Sequence, residues 1–153
     1  MGNTYTQIHI HSVMAVKHRA ALINHTWNNR LHAYMTAILQ RNGHKMLCIN
    51  SMPDHLHMLF GFRPNQSLSD LMRILKGETS EWINQQGFCK HQFRWQEGYG
   101  AFSFKRSDLP MVANYIETQE EHHKKKTFLE EYKNMLEEFE VDFDDKYLFK
   151  EPE

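Results

Sequence analysis

The chain has 153 residues, 41% of them hydrophobic and 24% charged, enough apolar material for one compact domain with its own core. No apolar run approaches the ~20 residues of a membrane helix, and no charged-then-apolar leader opens the sequence, so neither a membrane helix nor a secretory signal is expected. Net charge is −1, but residues 137–153 carry eight acidic and two basic side chains, which leaves +5 on residues 1–136, a mildly basic body behind an acidic tail.

Thr4 to Val16 alternates, with Ile8, Ile10, Met14 and Val16 on one parity, and reads as a half-buried strand. His9 and His11 take the other parity and are expected to point outward. MGNTYT formally matches a myristoylation pattern, but a strand starting at Thr4 leaves little free arm. From about Arg19 to Asn42 the apolar spacing becomes helical, and Gly43 suits the stop. KMLCINSM and HLHMLFGF then read as two strands joined at Pro53-Asp54, an antiparallel hairpin. Cys48 and Cys89 show no CxxC spacing and are expected to be reduced thiols.

Ser67 caps a helix expected over residues 68–85, ended by Gly87. FRWQEGYGAFSF reads as strand, turn, strand. Ser107 and Pro110 start a helix spanning 108–126, and Thr127 with Glu130 caps one more. This order implies an α+β fold, an antiparallel sheet with helices packed on it. Residues 1–140 are expected to form a single domain and 141–153 an acidic C-terminal tail.

Two constellations could carry chemistry. Leu56, Met58, Phe60 and Phe62 share one strand face, so His55 and His57 project together from the other, ~6.6 Å apart along the strand. Such a pair either faces solvent or converges on one cation. On the helix after Ser107, Tyr115 and Gln119 are four residues apart and share a face, which His122 continues. A phenol can attack phosphorus and an amide oxygen can ligate a metal. The same stripe also serves a helix packed on a sheet. Arg94, Trp95, Lys105 and Arg106 mix aromatic and basic character, and HHKKK adds His122, His123 and Lys124. These residues could stack bases and hold phosphates, or serve packing and a helix terminus. There is no phosphate-binding glycine loop, H-E-x-x-H, GxSxG or zinc-type cysteine set.

Taken in order, YTQIHIHSV, DHLHML, LKGETSEWI, WQEGYGAFSF and YIETQEEHHKKKTFLEEY resemble the small single-tyrosine HUH transposases. These are the insertion-sequence two-hundred type and its REP-associated relatives. The resemblance covers nearly the whole chain; Phe104-Lys105-Arg106 departs mildly from the pattern. It implies a ferredoxin-like HUH nuclease fold in a bacterial or archaeal cytoplasm. His55, His57 and Gln119 would bind a divalent metal, Mg²⁺ or Mn²⁺, and Tyr115 would be the nucleophile. The reaction implied is cleavage and rejoining of single-stranded DNA through a 5′-phosphotyrosine, on DNA with hairpin ends. Family members form homodimers in which one subunit's tyrosine helix can complete the other's histidine site. Arg94, Trp95, Lys105, Arg106, His122, His123 and Lys124 are the candidate DNA contacts. A domesticated relative acting on chromosomal hairpin repeats, and a hairpin-binding module without catalysis, are the alternatives. A replication-initiator nuclease shares the histidine motif but needs companion domains that a chain this short does not hold.

Overall fold

The protein was analysed as a computed structural model that describes residues 3–124, 126–144 and 148. Four strands form one antiparallel sheet: β1 (His9–Ala15), β2 (Lys45–Met52), β3 (His55–Gly61) and β4 (Gly100–Ser103), in spatial order β2-β3-β1-β4. Among the described residues five α-helices pack on it: α1 (Asn28–Arg41), α2 (Leu68–Gln86), α3 (Leu109–Glu117), α4 (Gln119–His122) and α5 (Phe128–Glu138). The expected α+β class is the one observed.

Strand pairing sorts the side chains onto two faces. Ile10 opposes Phe60 and Met14 opposes Leu56, which puts Met14, Leu56, Met58 and Phe60 together. They pack with Leu31, Met35 and Leu39 of α1 and Leu71 and Leu75 of α2 in the main core. The other face carries His11, Val13 and Ala15 of β1 beside Leu59, His57 and His55 of β3. Val13, Ala15 and Phe102 pack against Phe128, Tyr132 and Leu136 of α5, while Cys48 and Leu59 pack against Val112 and Ile116 of α3. The sheet is therefore sandwiched between two helical layers, and the histidine face is an interior surface. Burial raises the Cys48 thiol pKa to about 11, with nearby Glu117 adding to the effect, so this cysteine stays protonated.

Several sequence expectations need correcting. The helix expected from Arg19 starts only at Asn28. His18 and Arg19 hold φ of 61° and 55°, left-handed values that no α-helix tolerates. In FRWQEGYGAFSF only Gly100–Ser103 forms a strand, and Trp95 makes a single bridge to Val16. The helix expected over 108–126 breaks at Thr118 (φ −103°, ψ 26°), which divides α3 from α4. Residues 145–147 and 149–153 of the expected tail lie outside the described residues. The caps agree with the sequence: Ser67 accepts from the Asp70 N–H and Thr127 from the Glu130 N–H. Among the described residues no helix is long and apolar enough to cross a membrane.

Gly100 is where β4 meets α5. A methyl there would stand 2.6 Å from Tyr132 Cε1 and 2.8 Å from its hydroxyl. Gly100→Ala should cost about 1–3 kcal/mol of stability, the usual price of overpacking, in urea unfolding. Much less should be lost when it is introduced into Tyr132→Leu, where the ring is gone.

His32 on α1 pairs with the Ser51 hydroxyl at 2.8 Å, and burial lowers its pKa to about 4. The unfolded chain takes up this proton near pH 6.5 and the folded chain refuses it until about pH 4. Stability from neutral His32 is thus complete above pH 6.5 and is lost between there and about pH 4. His32→Gln should flatten the fall in melting temperature across that window.

Candidate functional site

His55 and His57 lie at the end of β3 next to the Pro53-Asp54 turn and are 1% and 0% exposed. Buried imidazoles need hydrogen-bond partners, and each nitrogen here has a defined neighbour. His55 Nδ1 is 2.7 Å from Asp54 Oδ1. Asp54 also accepts from Arg19 Nε and Nη2, at 2.9 and 2.7 Å. Burial would raise the Asp54 pKa, but His55 and Arg19 together hold it down at about 2. The Arg19 guanidinium lies 4.6 Å over the Phe128 ring, and Phe128 stacks on His55 at 4.0 Å. The left-handed backbone at His18 and Arg19 thus delivers a buried arginine that fixes both the carboxylate and the histidine it holds.

Burial lowers the His55 pKa to about 4 against the opposing pull of Asp54, so its ring is neutral at pH 7. Its single proton belongs on Nδ1, because a carboxylate can only accept. His55 Nε2 then presents a bare lone pair, and 3.4 Å away stands the Gln119 Oε1 atom. The amide orientation follows from its partners: Gln119 Nε2 donates to the Tyr115 carbonyl at 3.2 Å. His123 Nε2 donates to Gln119 Oε1 at 2.9 Å. With the proton on Nδ1, two acceptors face each other in a buried space, an arrangement that a cation can satisfy.

His57 lies between α5 and β1. Its Nε2 is 3.0 Å from Glu131 Oε1, and its Nδ1 is 2.8 Å from His11 Nε2. Burial drives the His11 pKa down to about 3, with the His57 charge acting the same way. The second Glu131 oxygen is 3.3 Å from His123 Nε2. Burial works against a charged Glu131, but hydrogen bonds from His123 and His57 and the Tyr115 hydroxyl hold its carboxyl well below the usual range. Burial also opposes charging His123, yet Glu131 and the Lys126 carbonyl outweigh it and raise its pKa. Ligand atoms of His55, His57 and Glu131 all lie within 4.8 Å of one another.

Tyr115 is half-buried on α3, its ring 6.1 Å from His57 and 4.6 Å from His122. Burial raises its pKa well above the ordinary tyrosine value, and the Glu131 charge and hydrogen bond raise it further. Its ring borders a cleft of about 470 Å³ between α3 and α5, floored by His11 and Glu131 and walled by Val112, Met135 and Phe139. His55, His57 and Gln119 are themselves buried and do not line this cleft, while the Tyr115 ring that borders it stands near His57.

The structure thus brings together His55, His57, Tyr115 and Gln119, and adds His122 and His123 beside them. Lys105, Arg106 and Lys124 are exposed around the start of α3 and the end of α4. Arg94 is exposed in a depression along α2, against the other helical layer. Trp95 is 8% exposed in the main core, its indole N–H on Thr79 at 2.8 Å, so its ring is not open to a base. His11, expected to face outward, is buried because α3 and α5 roof its side of the sheet. Sequence reasoning missed Glu131, although a carboxylate between Phe128, Tyr132 and Met135 on one helical stripe is a legible signal.

Replacing the buried arginine tests the framework. Arg19→Met should cost about 2–4 kcal/mol in urea unfolding. That is under the full cost of breaking a buried pair, because Asp54 keeps some solvent and its His55 bond.

A family model described as "Transposase IS200 like" matches residues 4–119. The chain is 23% identical over 121 residues to the ISDra2 transposase TnpA of Deinococcus radiodurans, covering 74% of this chain and 84% of that protein. A crystal structure from Deinococcus radiodurans assigned as a transposase is similar in fold, with TM-score 0.64 and 21% identity, over 78% of this chain and 95% of that one. A REP-associated tyrosine transposase bound to a REP hairpin is also similar, with TM-score 0.59 and 14% identity, over 80% of this chain and 73% of that one.

Proposed function

The chain belongs to the IS200-like transposase family, and on that premise we propose that it cuts and rejoins single-stranded DNA through Tyr115, beside a divalent metal held by His55, His57 and Gln119. The observation that carries this reading is the approach of His55 Nε2 to the Gln119 oxygen, 3.4 Å apart in a buried space. Two imidazole nitrogens and a neutral amide oxygen suit a borderline or hard cation, Mg²⁺ or Mn²⁺. When bound there, the ion supplies Lewis-acid polarisation of the scissile phosphate and stabilises charge on the departing oxygen.

The chain's own residues do the rest. Tyr115 Oη attacks phosphorus in line, forming a P–O bond as the bond to the 3′ oxygen breaks. The products are a 5′-phosphotyrosine and a 3′-hydroxyl, so the proton lost by the phenol is balanced by the one the 3′ oxygen gains. The phosphodiester energy stays in the tyrosyl link, and a 3′-hydroxyl attacking it rejoins the strand without an energy cofactor. Asp54 and Arg19 keep the His55 Nε2 lone pair aimed at the metal position, as outer partners of ligating histidines do. Burial and the Glu131 charge raise the Tyr115 pKa, so the phenol gives up its proton as it attacks rather than beforehand.

The substrate is read as hairpin-ended DNA, supported by the similar REP-associated transposase that is bound to a REP hairpin. Lys105, Arg106 and Lys124, exposed near the tyrosine helix, are the favoured phosphate contacts. We place catalysis in residues 1–140, with 141–153 as an appended acidic tail, and take the working form to be a cytoplasmic homodimer.

The decisive experiment incubates the protein with single-stranded DNA carrying its element's hairpin and Mn²⁺, then resolves covalent adducts under denaturing conditions. Wild type should form a protein–DNA adduct, and Tyr115→Phe should form none while still binding the hairpin. An adduct that persists in Tyr115→Phe rejects the assignment.

A further inference from the structure

We propose that Glu131 on α5 is a further ligand of the same metal, an anionic donor outside the histidine and tyrosine–glutamine motifs. The proposal rests on the reading of His55, His57 and Gln119 given above. Glu131 sits in the apolar stripe of α5 and is only 5% exposed. Burying a carboxylate costs several kcal/mol unless charge and hydrogen bonds compensate, so its placement needs a reason. Packing alone would favour leucine or methionine at this position, between Phe128 and Met135.

The spacing of the donors supports ligation. An octahedral ion with bonds of ~2.1–2.2 Å holds adjacent donors ~3 Å apart and opposite donors ~4.3 Å apart. Glu131 Oε1 is 3.0 Å from His57 Nε2, and Gln119 Oε1 is 3.4 Å from His55 Nε2. The histidine and glutamate donors all fall within 4.8 Å, so a contraction of a few tenths of an ångström suffices. The 3.0 Å contact between His57 Nε2 and Glu131 Oε1 already points both donors into one space. Two nitrogens, an amide oxygen and a carboxylate oxygen leave two positions open for phosphate oxygens.

A ligand from α5 has a structural consequence. His55 and His57 belong to the sheet, Gln119 to α4 and Glu131 to α5, so one ion ties three elements together. Glu131 also carries the Tyr115 hydroxyl, which puts the nucleophile and a ligand on a shared group. It lies beyond residues 4–119, the part matched by the family model.

The test is calorimetric titration of Mn²⁺ into the full-length, DNA-free protein after removal of metal with EDTA. Wild type should bind one Mn²⁺, Glu131→Gln should bind at least about 10-fold more weakly, and Glu137→Gln, which removes the same charge from an exposed site on α5, should stay within about twofold. Glu131→Gln within twofold of wild type overturns the proposal and leaves the assignment of His55, His57 and Gln119 standing. A wild-type protein that binds no Mn²⁺ overturns both. If Glu131→Gln melts too low to titrate, Glu131→Asp decides: it keeps the charge but retracts it by ~1.5 Å, one bond length. At least fivefold weaker binding supports ligation, and wild-type affinity rejects it.

Discussion

Strand β3 is buried on both faces, and the rest of the molecule is arranged around that constraint. Its even positions, Leu56, Met58 and Phe60, face α1 and α2, where only dispersion and the hydrophobic effect operate. Its odd positions bring two imidazoles into an equally dry space beneath α3 to α5. Polar groups there must be hydrogen-bonded or they are costly, so the turn before β3 supplies Asp54 and the second helical layer supplies Glu131 and Gln119. The helical roof of the sheet and the candidate site are the same structure.

The site has a consistent electrostatic character. Asp54 and Glu131 are carboxylates held ionised against burial by histidines and, for Asp54, by Arg19. His11 and His55 are driven the other way by burial and stay neutral. Neutral imidazoles beside ionised carboxylates and an amide oxygen make a cluster rich in lone pairs. His55, His57 and Glu131 within that cluster could hold a metal ion. His123 plays the opposite part, with a raised pKa and both ring nitrogens turned toward oxygens. It secures Gln119 and Glu131 together.

The break at Thr118 matters to the same end. A continuous helix would carry Tyr115, Gln119 and His122 on one straight stripe. The interruption separates α3 from α4, and Gln119 becomes the first residue of the short helix, fully buried over His55. Tyr115 remains at the edge, half-buried beside the cleft, where a large substrate can reach it. Family membership comes from the match to residues 4–119, and the solved relatives support the fold.

Alternation along HLHMLFGF and helical spacing in the later segments were enough to read the sheet, most helices, and the pairing of His55 with His57 and Tyr115 with Gln119. Those features depend on local periodicity and on residue chemistry, which a chain carries in its order. What lies across the sheet does not follow from order. His11 looked solvent-facing because alternation alone cannot tell whether a second layer of helices covers the polar face. The Arg19 turn hid inside a helical pattern, since its left-handed backbone is bought by contacts with Asp54 and Phe128 that are distant in sequence. Glu131 stood 74 residues from His57, and only the docking of α5 on the sheet brought them within 3.0 Å. Residue types and local periods were legible in the sequence, whereas burial and long-range donor geometry are properties of packing and were decided by the tertiary structure.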